Sequence, residues 1–180
     1  MSGVIRMNKL IEKIEKWAED RNIIKGSKPI DQAMKLFSEF GELADNVGKG
    51  RDCRDDIGDI FVVLTIMAKQ ADLNINNLIE LRANDNSLDV CLKKQVNWLC
   101  SNLSLFVTDL GSYTLGSCIE NLTRISNSLN YTIEECVQIA YDDIKDRVGI
   151  LWNGVFVKNT DANYNEVKLM FEESMEKNFN

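Results

Sequence analysis

The chain has 180 residues, 44% of them hydrophobic and 27% charged, enough apolar material for one domain with a real core and too much for a disordered tail. It contains no His, ten Gly and a single Pro. This excludes Ser-His-Asp and Cys-His catalysis and His-based zinc sites, and it disfavours turn-rich all-β folds. The formal net charge of −7 argues against nucleic-acid binding through a broadly basic surface.

Apolar residues recur at helical spacing almost throughout. Met7, Leu10, Ile11, Ile14, Trp17 and Ala18 form one stripe, which predicts a helix over about 6–21. Its stripe makes Trp17 a core residue in preference to a base-stacking platform. Gly26, Ser27 and Pro29 mark a break. A second helix is predicted over about 30–47, stopping at Gly48 and Gly50, and a third over about 52–72. Asn74 to Asn86 is polar and reads as a loop or a frayed helix end. Leu92, Val96, Leu99, Leu103, Phe106 and Leu110 predict a fourth helix, ended by Gly111. Leu115, Cys118, Ile119, Leu122, Ile125 and Leu129 give a fifth. Thr132 and Glu135 form a capping box for a sixth, which carries Ile133, Val137, Ala140, Tyr141, Ile144 and Val148. Beyond Gly149 the periodicity is lost. Trp152 to Val157 reads as extended, and a short helix is expected from about Glu166 to Lys177. The expected fold is therefore an all-α bundle of about six helices with an irregular or extended segment near its C-terminus, as a single domain over 1–180.

The five Cys form no C-x-x-C pair and are odd in number, so reduced, core-packed thiols are expected. The longest apolar run, Ile60 to Ala68, is too short to span a bilayer. No signal-peptide region is evident at the N-terminus, and a soluble, cytoplasmic protein without membrane contact is expected.

The candidate chemistry lies in two acidic pairs. Glu39 and Glu42 stand three apart in the second helix, as do Asp56 and Asp59 in the third. An i,i+3 pair shares one helix face. The Gly-containing connection is short, so the two helices are expected to be antiparallel neighbours and their acids to converge. Ile60, Val63 and Met67 place Asp56 and Asp59 toward the inward side of a helix that is apolar nearly all round. Inward carboxylates are costly unless something pairs with them. Lys35 reaches only one of the four by an i,i+4 pair. A hard divalent cation, Mg²⁺ with Mn²⁺ as a substitute, suits an oxygen-only donor set. The bland alternative is solvated acids on amphipathic helices.

These residues carry a resemblance. The stretch Lys35-Leu36-Phe37-Ser38-Glu39-Phe40-Gly41-Glu42-Leu43, followed by Asp55-Asp56-Ile57-Gly58-Asp59-Ile60, is similar to the E-x-x-E and E-x-x-D helices of the MazG-like all-α nucleoside triphosphate pyrophosphohydrolases. A second block resembles the phage-type members: Tyr141, Ile144-Lys145-Asp146-Arg147, Gly149 and Asn153-Gly154-Val155-Phe156-Val157-Lys158, with Lys16-Trp17-Ala18 and Asp20-Arg21-Asn22-Ile23. The resemblance covers the first 70 residues well and leaves about 74–130 unassigned, as an elaboration of the bundle. It departs from the family at Ser38, where an acid is usual, and at Asp56, where Glu is usual.

The resemblance implies hydrolysis of a deoxynucleoside triphosphate, dGTP or dATP first, to the monophosphate and pyrophosphate, by a homodimer or homotetramer in the host cytoplasm. Glu39, Glu42, Asp56 and Asp59 would hold Mg²⁺ and carry the catalysis. Lys35, Lys145, Arg147 and Lys158 are candidates for phosphate contacts, although cations near a helix C-terminus also suit its dipole. The alternatives are a pyrophosphohydrolase for dUTP, dCTP or damaged nucleotides, and a catalytically silent helical binding protein, to which Ser38 and Asp56 would point.

Overall fold

The computed structural model describes residues 3–76, 78 and 90–178. Within them lie α1 (Gly3–Asp20), α2 (Ile23–Gly26), α3 (Pro29–Lys49), α4 (Arg54–Gln70), α5 (Leu92–Asp109), α6 (Ser112–Ser128), α7 (Ile133–Ile144), β1 (Gly149–Trp152), β2 (Val155–Lys158) and α8 (Tyr164–Asn178). The fold is mostly α-helical, as expected. The eight helices among the described residues exceed the predicted six by α2, a single turn, and by the expected tail helix α8. Of the predicted loop from Asn74 to Asn86, residues 77 and 79–86 lie outside the described residues.

Helix α4 is the axis of the bundle. Every residue from Ile60 to Ala68 is buried, because this run is apolar on every side of the helix. It packs against α1, α2, α3, α6 and α7. Its closest neighbour is α7. A Cβ built on Gly58 would lie 2.2 Å from the carbonyl oxygen of Cys136 and 2.7 Å from the Ala140 Cβ, so glycine is what lets the two backbones approach. Helices α5 and α6 pack on each other and reach α3 and α4 respectively, and Leu99, Leu103, Phe106, Leu115 and Leu122 join the same core. Cys53, Cys118 and Cys136 are buried, and all five cysteines are free thiols.

Helix ends follow the sequence with small shifts. Thr132 and Glu135 form the expected capping box: Glu135 N–H donates to Thr132 Oγ1 at 3.2 Å and Thr132 N–H to Glu135 Oε2 at 2.8 Å. Helix α3 runs through Gly48 and ends at Gly50, whose φ of 66° is left-handed. Helix α7 stops at Ile144, short of the Val148 that periodicity assigned to it. Val148 is exposed, and the chain turns there into a hairpin.

That hairpin corrects the reading of Trp152 to Val157 as one extended stretch. Strands β1 and β2 are antiparallel, with Trp152 opposite Val155. The turn between them is Asn153-Gly154, with φ of 49° and 78°. Two successive left-handed residues of this type close a two-residue hairpin whose twist matches its strands.

Candidate functional site

A pocket of about 390 Å³ opens beside the middle of α4, within the usual size of small-molecule sites. Four parts of the chain build it. Helix α4 contributes Asp59, Val62, Val63 and Ile66, at helical spacing on one face. Helix α3 contributes Asp31, Gln32, Lys35 and Glu39. The α1–α2 corner supplies Trp17, Ile23 and Ser27. Ile144, Arg147, Leu151, Gly154, Phe156 and Lys158 come from the end of α7 and the hairpin. The lining is thus divided in chemistry. Glu39 and Asp59 stand with Lys35, Arg147 and Lys158, whereas Trp17, Phe156, Val62 and Ile66 are apolar.

Of the eight predicted site residues, Lys35, Glu39, Asp59, Arg147 and Lys158 line this pocket. Glu42, Asp56 and Lys145 do not. Lys145 donates to Asp142 at 2.6 Å and lines a different depression with Lys13, Lys16 and Tyr141. Ser38 is exposed on α3 and outside the pocket.

The acids interact across the α3–α4 contact. Glu39 is buried to 3% exposure and forms an ion pair with Lys35. Asp59 has no hydrogen-bond donor among the described residues. Burial pushes its carboxyl up to about 7, and the negative charges of Glu39 and Asp55 add to the rise; Lys35 and Arg147 oppose it. Asp56 is also buried. It accepts a hydrogen bond from Asn46 Nδ2 at 2.7 Å. Burial still raises its carboxyl above the ordinary range, against that bond and with the help of Glu42, Asp55 and Glu39. Asp55, which the motif reading left out, is shifted upward by burial first and then by Asp143 and Glu39. The charge of Glu39 is thus felt at Asp59, and those of Glu39 and Glu42 at Asp56, across the α3–α4 contact. Among the described residues, no three Asp, Glu or Cys side chains are gathered into a ready-made metal cage.

The α1–α2 corner carries the stretches Lys16-Trp17-Ala18 and Asp20-Arg21-Asn22-Ile23, which the sequence marked without giving Arg21 or Asn22 a role. Arg21 lies over the Trp17 ring, 4.9 Å from its centroid. Its Nε donates to the Arg147 carbonyl at 2.5 Å, one terminal nitrogen to the Lys145 carbonyl at 3.3 Å, and the other to Trp17 O at 3.1 Å. Asn22, in a left-handed conformation, donates from Nδ2 to the Leu151 carbonyl at 2.9 Å, and Leu151 N–H returns a bond to Arg21 O at 2.8 Å. These bonds take up carbonyls freed where α7 ends. They also fix Arg147 and Leu151 at the pocket. Arg147 itself is ion-paired with Asp143. Trp17 is both core and lining: half-buried, packed against the core, and with an indole Nε1 that is buried and has no acceptor among the described residues. A further interlock holds α2. Gln70 Nε2 donates to Ser27 O and Oγ, both at 3.0 Å, and Gln32 Nε2 to Ser27 Oγ at 2.9 Å.

Over 66 residues the chain is 50% identical to an uncharacterized 18.2 kDa protein from the rep-hol intergenic region of Haemophilus phage HP1 (strain HP1c1). The match covers 36% of this chain and 40% of the phage protein, so the chain spans about two fifths of that relative's length. It is thus related to a phage protein over that stretch. No protein-family profile and no solved structure matches the chain. No described helix is long and apolar enough to cross a membrane.

Proposed function

We propose that the pocket binds a deoxynucleoside triphosphate, dGTP or dATP first, and hydrolyses it between the α- and β-phosphates to a monophosphate and pyrophosphate. The observation that carries this reading is the meeting of Glu39 and Asp59 with Lys35, Arg147 and Lys158 at one pocket that also has an aromatic, apolar side. A nucleotide has the same two chemistries. Its base would lie against Trp17 and Phe156, with Gln32 and Ser27 as the polar groups nearest to read it. Its phosphates would face the cations.

The donor set fits a hard cation. It is all carboxylate, Asp59 lacks a hydrogen-bond donor among the described residues, and burial first, then neighbouring acids, keeps Asp59 and Asp56 hard to ionise without a compensating charge. Glu39 and Asp59 would hold Mg²⁺, or Mn²⁺ in its place, with Glu42 and Asp56 behind them on the same two helices. When bound, such an ion screens phosphate charge and lowers the pKa of a bound water. The chain's own groups do the rest. Lys35 and Arg147 draw phosphate oxygens toward the acids and offset negative charge as the pyrophosphate departs. The apolar wall of Val62, Val63 and Ile66 limits water around the reacting end. A homodimer or homotetramer in the host cytoplasm would be the working form.

The test is direct: purified protein, Mg²⁺ and each deoxynucleoside triphosphate in turn, with monophosphate, diphosphate and pyrophosphate separated. Release of monophosphate and pyrophosphate from a purine substrate supports the reading; turnover of dUTP, dCTP or an oxidised nucleotide reassigns the base. A second reading is a silent nucleotide-binding protein, favoured by the lack of a ready-made cage among the described residues. It requires a nucleotide-induced thermal shift with no product under any divalent metal.

A further inference from the structure

The outer side of α3 takes no part in the pocket, and its sequence is ordered. Ile30, Met34, Phe37, Gly41, Ala44 and Gly48 follow one another at steps of 4, 3, 4, 3 and 4, the spacing of a helix-pairing seam. The first three are large and apolar yet lie in solvent, at 56%, 59% and 37% exposure. The last three are small, and Ala44, at the edge of the stripe, also packs on the core. Gly41 is interior to the helix and Gly48 lies in its last turn, and a Cβ on either would meet nothing within 4 Å. Neither has a left-handed backbone. Glycine is the poorest helix former after proline, and nothing among the described residues requires it at these two positions. Close approach of a second backbone would require it.

The order of large and small residues identifies that second backbone. Turned end for end about residue 39, the stripe falls on itself: Ile30 meets Gly48, Met34 meets Ala44, and Phe37 meets Gly41. Every large side chain opposes a small one, and each contact occurs twice, as an isologous interface demands. The ends match in charge as well. Asp31, in the first turn, comes opposite Val47 of the second copy, at the end of the helix where Lys49 and Arg51 are ion-paired with Asp45. We propose that α3 is a self-association surface on which a second copy of this chain docks with its α3 antiparallel, in the register that opposes Phe37 to Gly41. This rests on α3 alone and stands whether or not the pocket hydrolyses nucleotides. The seam runs for about 27 Å at 1.5 Å per residue. A strip of that length and one helix wide is smaller than the roughly 800 Å² per partner of a stable dimer, so the dimer dissociates on dilution.

Sedimentation velocity from about 1 to 200 µM tests this, with circular dichroism and thermal melting on each variant. The wild type should move from 20.5 kDa toward twice that mass as concentration rises. Met34→Glu, at an exposed position, should weaken dimerisation at least tenfold and leave the circular dichroism unchanged. Gly41→Leu should also dissociate the dimer while raising the melting temperature of the monomer, because it removes a helix-weakening glycine from open space; this variant separates lost docking from lost folding. The exchange Phe37→Gly with Gly41→Phe keeps every opposition and should restore the dimer that Gly41→Leu loses. A wild type that stays monomeric throughout, a dimer that survives Met34→Glu and Gly41→Leu, or an exchange variant no better than Gly41→Leu would each overturn the proposal.

Discussion

Asp59→Asn should stabilise the metal-free protein, and the gain should depend on pH with a definite sign. In the folded chain the Asp59 carboxyl titrates at about 7 because burial and the charges of Glu39 and Asp55 oppose its ionisation, against 3.8 for the ordinary group. A raised folded pKa means that the folded state holds its proton more tightly than the unfolded state. The stability this adds is whole below about 4 and is lost as pH rises through about 7. At pH 8 the native carboxylate is ionised in a site that disfavours it. Three pH units at 1.36 kcal/mol each set an upper bound of about 4 kcal/mol, and partial solvent access to Asp59 reduces this to roughly 2 kcal/mol. The neutral isostere escapes that cost. In EDTA at pH 8, Asp59→Asn should therefore melt about 4–8 °C above wild type, since 1 kcal/mol moves a domain of this size by about 2–4 °C. At pH 4.5 the two proteins should melt within a degree or two of each other. Urea unfolding at both pH values gives the same comparison as free energies. Equal stability at pH 8, or a variant that is less stable there, would refute the account of Asp59 as a carboxylate held against its preference. Added Mg²⁺ should then raise the wild-type melting temperature and leave the variant where it was.

Other parts of the structure give sharper contrasts. Arg147→Lys should lower kcat/KM for the triphosphate about ten- to hundred-fold, through loss of a planar two-pronged contact, with the Mg²⁺-induced thermal shift kept. Lys145→Ala should leave turnover unchanged, because that side chain pairs with Asp142 outside the pocket. Gly58→Ala should cost about 1–3 kcal/mol in urea unfolding, since the new methyl would press on the Cys136 carbonyl of α7. Arg21→Gln should keep the far-ultraviolet circular dichroism but speed hydrogen exchange at Leu151 N–H, which bonds to the Arg21 carbonyl beside the lost guanidinium contacts.

What the sequence makes legible here follows the range of the signal. A 3.6-residue stripe reports local geometry, so α1, α3, α4, α5, α6 and the capped start of α7 could be placed within a few residues. The inward phase of Asp56 and Asp59 is a local property too, and both are partly or wholly buried. Where the expectation failed, a distant group had intervened. Periodicity carried the sixth helix through Val148. In the fold, Arg21 takes the carbonyls of Lys145 and Arg147, and the ladder of Gly149 to Trp152 with its partner strand begins instead. The Asn-Gly pair at 153–154 was a readable hairpin signal, hidden by treating the flanking apolar residues as one run. Trp17 shows a limit of a different kind. Its stripe position announces burial, but a half-buried indole can face core on one side and a cavity on the other, and periodicity does not distinguish the two.

The pocket joins residues from Trp17 to Lys158 because two contacts fold the chain back on itself. One is the packing of α7 along α4, which depends on the bare backbone of Gly58 and brings Ile144 beside Asp59. The other is the Arg21–Asn22 corner, which grips the segment after α7 by its carbonyls and so presents Arg147 to the acids of α3 and α4. Without the second contact, the segment that carries Arg147 would lose its bonds to Arg21 and Asn22, with the Arg147 side chain still ion-paired to Asp143. The acids alone make an electrostatic liability at the edge of the core. In the proposed function, acids and cations presented together at an apolar-walled cavity would turn that liability into affinity for a charged ligand. The cost is carried by the fold: Asp56 and Asp59 are hard to ionise where they stand, and α4, buried along most of its length, supplies the packing that holds them there.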